Sequence, residues 1–161
     1  MIELATVLKL LHVLGATVLL GTGAGIAFFM VMANRTRDAR AIAHVAQTVV
    51  IADFIFTASA VLLQPVTGWL LARTGSYPLT EGWIGLSLVL YLLVGACWLP
   101  VVWIQIQMRN LARAAADDHA PLPDRYDRLY RVWFYLGFPA FAGVIAIIWL
   151  MLAKPSVAIG F

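Results

Sequence analysis

The sequence predicts an all-α membrane protein, a bundle of four transmembrane helices. Hydrophobic residues make up 63% of the 161 residues and charged residues only 12%, and the mean hydropathy is +0.90. A soluble domain has about 45–50% apolar and about 25% charged residues, so this composition does not provide a water-facing surface. Four long apolar stretches, each able to cross about 30 Å of hydrocarbon, are the second observation. We expect one domain covering residues 1–161.

Polar segments with turn signals separate the four predicted spans. The spans cover residues 4–33, 41–72, 83–108 and 129–153. The first break is the short polar stretch 34–40, and the second, 74–82, contains Gly and Pro, with Thr80 or Glu81 placed to begin the third helix. The third break, 109–128, is rich in Ala, Asp and Arg and contains two prolines, which indicates a helix end followed by a surface turn.

The distribution of Lys and Arg residues predicts how the protein is oriented in the membrane. Eight of the eleven Lys and Arg residues flank one side of the spans, namely Arg35, Arg37, Arg40, Arg109, Arg113, Arg125, Arg128 and Arg131. The other side has Lys9, Arg73 and Lys154. Because Lys and Arg near span ends are retained in the cytoplasm, we expect a bacterial inner-membrane protein with both termini in the periplasm. The cations do not form a basic surface with aromatic side chains among them, so nucleic-acid binding is not expected.

The pair Lys9-x-x-His12 in the first span is the most suggestive motif for chemistry. Positions three apart share a helix face, and ionisable residues inside a span are functional candidates because they are costly there. A neutral imidazole is a common axial ligand of haem iron, and cations at the membrane edge pair with propionates. We therefore predict His12 as the metal ligand, with Lys9 and Arg73 as cofactor-binding residues. Alternatively, His12 only hydrogen-bonds Ser87 or Gln64 across helices.

A second iron ligand is less evident from the sequence. His44 lies near the opposite membrane face, too far along the helices to share one iron with His12. Met151 in the fourth span lies near the depth of His12, which permits a His/Met pair, although Met in an apolar helix usually packs. The single cysteine, Cys97, excludes a disulfide framework and a multi-cysteine cluster within one chain.

Asp53 is the only acidic residue deep inside a predicted span. An isolated carboxylate there is costly, so Asp53 is expected to be protonated or paired inside the bundle, with Thr22 as its partner. Two interpretations stay open. Asp53 is either a proton-relay or gating group, which makes it the catalytic candidate, or a protonated acid that donates one interhelical hydrogen bond.

Six motifs together indicate a family. They are Leu8–Gly15, the small-residue strip Gly21–Gly25, Ile51–Asp53, Leu63–Gly68, Cys97–Gln105 and Trp149–Pro155. Over nearly the whole chain these motifs resemble a family of predicted bacterial integral membrane proteins catalogued as domain of unknown function 2269. The resemblance implies the membrane topology.

A more distant resemblance is to four-helix membrane proteins that include the HemJ-type protoporphyrinogen oxidases and the CopD-type copper-resistance domains. The shared feature is Lys9-x-x-His12 at the start of the first helix. In the HemJ-type enzymes that helix carries a His tied to haem, and a Lys follows a Trp in a later helix. Here Ser87, after Trp83, stands where that Lys would be. This departure weighs against porphyrinogen oxidation and leaves haem binding through His12 open, so the resemblance carries over only Lys9 and His12.

The expected function is a b-type haem or porphyrin-binding redox protein that exchanges electrons with a quinone or another redox partner. A homodimer or larger complex is expected, because so small a bundle often completes its cavity with a partner. The alternative is a cofactor-free structural or transport-accessory membrane protein. In that case the same residues only specify packing.

Overall fold

The computed structural model describes residues 3–79 and 81–156, and within these ranges the chain forms four long helices without strands. They are α1, Leu4–Thr36; α2, Ala39–Thr74; α3, Gly82–Asp117; and α4, Asp124–Ala153. All four are long and apolar enough to cross a membrane. The predicted fold class, a four-helix transmembrane bundle, is confirmed.

Local signals explain where the helices begin and end. Arg37 adopts a left-handed conformation with φ 55° after α1, and the Asp38 carboxylate then accepts a hydrogen bond of 2.8 Å from the backbone N–H of Arg40, which caps α2. At the start of α3, the Glu81 side chain makes no capping bond, and Thr80 lies outside the described residues. Helix α3 continues past Met108 to Asp117, so part of the predicted polar loop is helical.

The helices are longer than the bilayer is thick. Helices of 30 to 36 residues rise by about 45–54 Å, against about 30 Å of hydrocarbon. Their ends therefore extend into the interfacial regions. We call the end with Arg35, Arg37, Arg40 and the arginines of 109–131 the arginine-rich end. The end with Lys9, Arg73 and Lys154 is the lysine end.

The arginine-rich end is tightly packed. Each helix contributes at least one large side chain that is fully enclosed there: Met30 of α1, Ile42 of α2, Met108 of α3 and Tyr126 of α4. At its surface, the Arg37 guanidinium donates two hydrogen bonds to the Asp127 carboxylate, at 2.6 and 3.1 Å. This bond raises the pKa of Arg37 and ties the α1–α2 turn to the beginning of α4.

Helix α2 changes its neighbours halfway along. The helices pack in ring order, each against the next, and α4 returns to α1. The half of α2 at the arginine-rich end, Ala39–Ala52, packs against both α1 and α3, whereas Ala58–Thr74 packs against α1 and hardly approaches α3. The change occurs at a π-helical turn, Asp53–Thr57. A gap therefore lies between α2 and α3 on the lysine side of this turn.

One hydrogen bond crosses the gap. Pro65 lacks a backbone N–H, so the carbonyl of Val61, four residues earlier, loses its donor within α2. The Tyr91 hydroxyl of α3 donates to this carbonyl. Because no water is available in the bilayer core to take this role, Tyr91 both satisfies the freed carbonyl and connects the two helices.

We expect Tyr91→Phe to lower the free energy of unfolding by about 1–3 kcal/mol, because it leaves the Val61 carbonyl unsatisfied. In a Pro65→Ala background the alanine N–H supplies the donor, so the same substitution should cost less. Unfolding of the four proteins in mixed micelles measures both differences. Tyr135→Phe, at a side chain that is 69% exposed, is the matched control. Equal costs in the two backgrounds would contradict this account.

Candidate functional site

A cavity of about 670 Å³ lies among the helices at the lysine end. Its volume is within the range of about 300–1,000 Å³ that is typical of small-molecule sites. The wall is mostly apolar and includes side chains from all four helices. The polar or charged side chains that line it are chiefly Lys9, His12, Gln64, Ser87, Tyr91 and Lys154. At the tip of the lysine end, Ala72 of α2 packs with Trp83, Ile84 and Leu150.

The ring of His12 hydrogen-bonds Thr67 of α2. Its Nδ1 lies 2.8 Å from the hydroxyl oxygen of this buried threonine. The same hydroxyl lies 2.8 Å from the backbone carbonyl of Leu63 and 3.2 Å from that of Gln64. When its single proton bonds one of these carbonyls, Thr67 accepts from the Nδ1–H of His12, and the Nε2 lone pair is available to a ligand. No described residue hydrogen-bonds to Nε2, and the ring lines the cavity.

Two glycines make room for this arrangement between α1 and α2. The Gln64 side-chain amide donates to the backbone carbonyl of His12 at 2.8 Å, and it occupies the space that a Cβ on Gly15 would need. A Cβ on Gly68 would lie 3.3 Å from Cε1 of His12. The sequence suggested Ser87 or Gln64 as the hydrogen-bond partner of His12 across helices. Gln64 bonds the His12 carbonyl, while the ring bonds Thr67 and Ser87 donates to the carbonyl of Trp83 in its own helix.

Two lysines line the cavity, one of them unforeseen. Lys9 is exposed on α1, one turn before His12. Lys154 ends α4 with a left-handed φ of 42°, and its ammonium lies 5.0 Å from the Tyr77 ring centroid and 5.5 Å from that of Trp83. Arg73, predicted beside Lys9, is not part of the lining. Its guanidinium lies 4.9 Å from the Trp69 ring centroid.

The structure also places the other candidate ligands. Met151 of α4 lines the same cavity as His12, whereas His44 is exposed on the half of α2 near the arginine-rich end. Across residues 3–79 and 81–156, no group of three or more His, Cys, Asp or Glu side chains is arranged to hold a metal ion. Any metal at this site would thus depend on His12 together with a cofactor or with Met151.

Asp53 lies outside the cavity lining, in the π-helical turn. Its side chain is buried and accepts a long hydrogen bond of 3.4 Å from the Trp98 indole of α3. We expected Thr22 of α1 as the partner, and this was wrong, because the turn directs Asp53 toward α3. The buried Thr57 and Gln105 side chains are the other polar neighbours of the carboxyl group.

Three residues of the site were not predicted from the sequence. Thr67 has a recognisable signal, because it follows Gln64 by one helical turn within the motif Leu63–Gly68. Tyr91 has only an indirect signal, since Pro65 implies that some donor must reach the carbonyl four residues earlier. Lys154 has a signal in the following Pro155, which ends the helix and allows the lysine to turn back over the bundle.

We expect Gly15→Ala to destabilise the protein by about 1–3 kcal/mol, because the added methyl group displaces the Gln64 amide from the His12 carbonyl. Gly95→Ala is the matched control, since nothing lies within 4 Å of the added Cβ. There, the better helix propensity of Ala should give a neutral effect or a gain of about 0.5–1 kcal/mol. Thermal unfolding in detergent distinguishes the two, and equal shifts would contradict the packing described here.

Comparison with known proteins gives one match. A family model described as a predicted integral membrane protein, DUF2269, matches residues 6–155. No curated protein and no solved structure matches the chain. The matched segment includes α1 from its first turn, the whole of α2 and α3, and α4 to its end. The chain therefore belongs to the DUF2269 family of predicted integral membrane proteins.

Proposed function

We propose that the cavity binds a b-type haem or a related porphyrin, and that the protein transfers electrons through it. The observation that carries this proposal is the geometry of His12: Nδ1 bonds the Thr67 hydroxyl, and no described residue bonds Nε2 on a ring that lines the cavity. Metal-binding histidines almost always donate their other N–H to a fixed acceptor, which sets the tautomer and the ring orientation. With its proton on the Leu63 carbonyl, Thr67 would serve as that acceptor.

The rest of the cavity suits the same ligand. Its apolar wall matches the faces of a macrocycle, and Met151 supplies a thioether on the same cavity. Lys9 and Lys154 provide two ammonium groups for propionates at the edge. Arg73, as predicted from the sequence, is a third candidate, acting from outside the lining. A bound haem would supply one-electron chemistry, while these residues bind and orient it.

The positive-inside rule supports an orientation for this activity. With the arginine-rich end in the cytoplasm of a bacterial inner membrane, both termini and the cavity face the periplasmic side. The gap between α2 and α3 would give a quinone or another lipophilic redox partner a route from the bilayer to the cavity. The expected homodimer fits the open surface over Gly21 and Gly23, where a Cβ would meet no described atom.

A second candidate is a cofactor-free structural or transport-accessory protein. It is favoured by the fact that the two hydrogen bonds at His12, from its ring to Thr67 and from Gln64 to its carbonyl, both connect α1 to α2. A packing role needs the same bonds. The two candidates differ in what Nε2 binds, so spectroscopy separates them.

In purified protein from haem-replete cells we expect a Soret band that His12→Ala abolishes. Thr67→Val keeps His12 as the iron ligand but removes the hydrogen-bond acceptor of its Nδ1–H. We expect this to lower haem affinity by about 10–100-fold. His44→Ala, at an exposed histidine near the other end, is the matched control and should keep the band.

Comparing Lys154→Gln with Arg73→Gln shows which cation holds a propionate. A colourless preparation that takes up no added haemin would favour the structural candidate.

We also propose that Asp53 exchanges a proton in step with the redox reaction. The reduction potential of bound haem should then fall by up to about 59 mV per pH unit, and Asp53→Asn should remove this dependence. Trp98→Phe removes the observed hydrogen bond but keeps the carboxyl group, so it should retain the pH dependence. If Asp53→Asn leaves the potential and its pH profile unchanged, Asp53 has only a packing role.

A further inference from the structure

We propose that α4 binds an anionic phospholipid at the arginine-rich end. A shallow depression of about 610 Å³ lies along this helix, far from the cavity of His12. Its lining consists of Arg128, Arg131, Val132, Tyr135 and Leu136. The phosphate would be held by the two guanidinium groups, and an acyl chain would follow the apolar residues. This inference does not depend on the proposed function.

Charged and apolar side chains follow one another along the depression in the same order as the headgroup and acyl chains of a phospholipid. Positions 128, 131, 132, 135 and 136 follow the three- and four-residue spacing that places side chains on one helix face. The cations come first, at the helix end, and the apolar side chains follow toward the middle of the span. A phospholipid has the same order, with its charged headgroup outside and its chains inside.

The two arginines are free to bind an anion. Both are exposed, and neither forms an ion pair with any of the described residues. Asp127, the adjacent acid, is already bound by both Nη atoms of Arg37. Asp124, one turn before Arg128, makes no ion pair with it in the described part of the chain. Arg131 interacts with Asp127 at longer range, without a direct ion pair. The guanidinium groups of Arg128 and Arg131 thus keep their donors for a ligand, and their planar geometry suits phosphate oxygens.

The surroundings favour a lipid over a soluble anion. Tyr135 is 69% exposed and Val132 is 50% exposed, although both follow directly on the charged turn. Such apolar exposure is unfavourable in water and normal against lipid chains. A tyrosine is also a typical residue at the depth of the headgroups. A free phosphate would contact the arginines but not these apolar side chains.

The test is lipid retention by the full-length protein. Native mass spectrometry after reconstitution in phosphatidylcholine with increasing phosphatidylglycerol counts the lipids that stay bound. We expect Arg128→Gln/Arg131→Gln to weaken retention of phosphatidylglycerol by about tenfold or more. The matched control is Arg113→Gln/Arg125→Gln, which removes the same charge from two exposed arginines outside the depression. This control should retain the lipid.

Two further measurements complete the experiment. Leu136→Ser should weaken phosphatidylglycerol retention while keeping both arginines, as expected for a chain in contact with the helix. Inorganic phosphate at millimolar concentration should not displace the lipid. The proposal is overturned if both double variants lose the lipid equally, since only total charge would then matter. It is also overturned if phosphate displaces the lipid fully, because the site would then bind a soluble anion.

Discussion

The structure depends on one constraint: in a bilayer, every polar group that a helix frees needs a protein partner. Pro65 frees the Val61 carbonyl, and Tyr91 crosses from α3 to bind it. Polar side chains in the spans are paired across helices as well: the Gln64 amide donates to the His12 carbonyl, and the Trp98 indole donates to the Asp53 carboxyl group. These contacts connect α2 to its neighbours from the π-helical turn toward the lysine end, where α2 and α3 separate.

The two ends of the bundle accordingly have different roles. At the arginine-rich end, enclosed side chains from all four helices form one continuous core, and the loop ion pair lies at its surface. At the lysine end, the core is reduced to a small cluster and the cavity takes its place. The position of His12 relative to Thr67 is held locally, by the packing of α1 against Ala58–Thr74 and by the bond from Gln64 to the His12 carbonyl.

The fold could be predicted from the sequence because hydropathy alone separates the four spans and their breaks. The position of His12 in the first helix could also be predicted, because one imidazole among apolar residues is conspicuous. Its partner could not, since depth in the membrane does not fix the rotation of a helix about its axis. The same reason explains why Thr22 was expected beside Asp53. Lys154 was not predicted because Pro155 indicates only where the helix ends, whereas the direction of the lysine side chain depends on the left-handed conformation that Lys154 adopts there.

The π-helical turn at Asp53–Thr57 has a consequence for how the chain tolerates insertions and deletions. Such a turn contains one residue more than an α-helical turn, and one residue corresponds to about 100° of rotation. Without it, the rest of α2 would keep its length and hydropathy but present a different side to α1. Leu62 and Val66, now exposed, would move toward His12 in place of Thr67. A one-residue deletion within the turn would restore a regular α-helix and keep Thr67 at the imidazole, whereas a deletion between the turn and Thr67 would bring an aliphatic surface there.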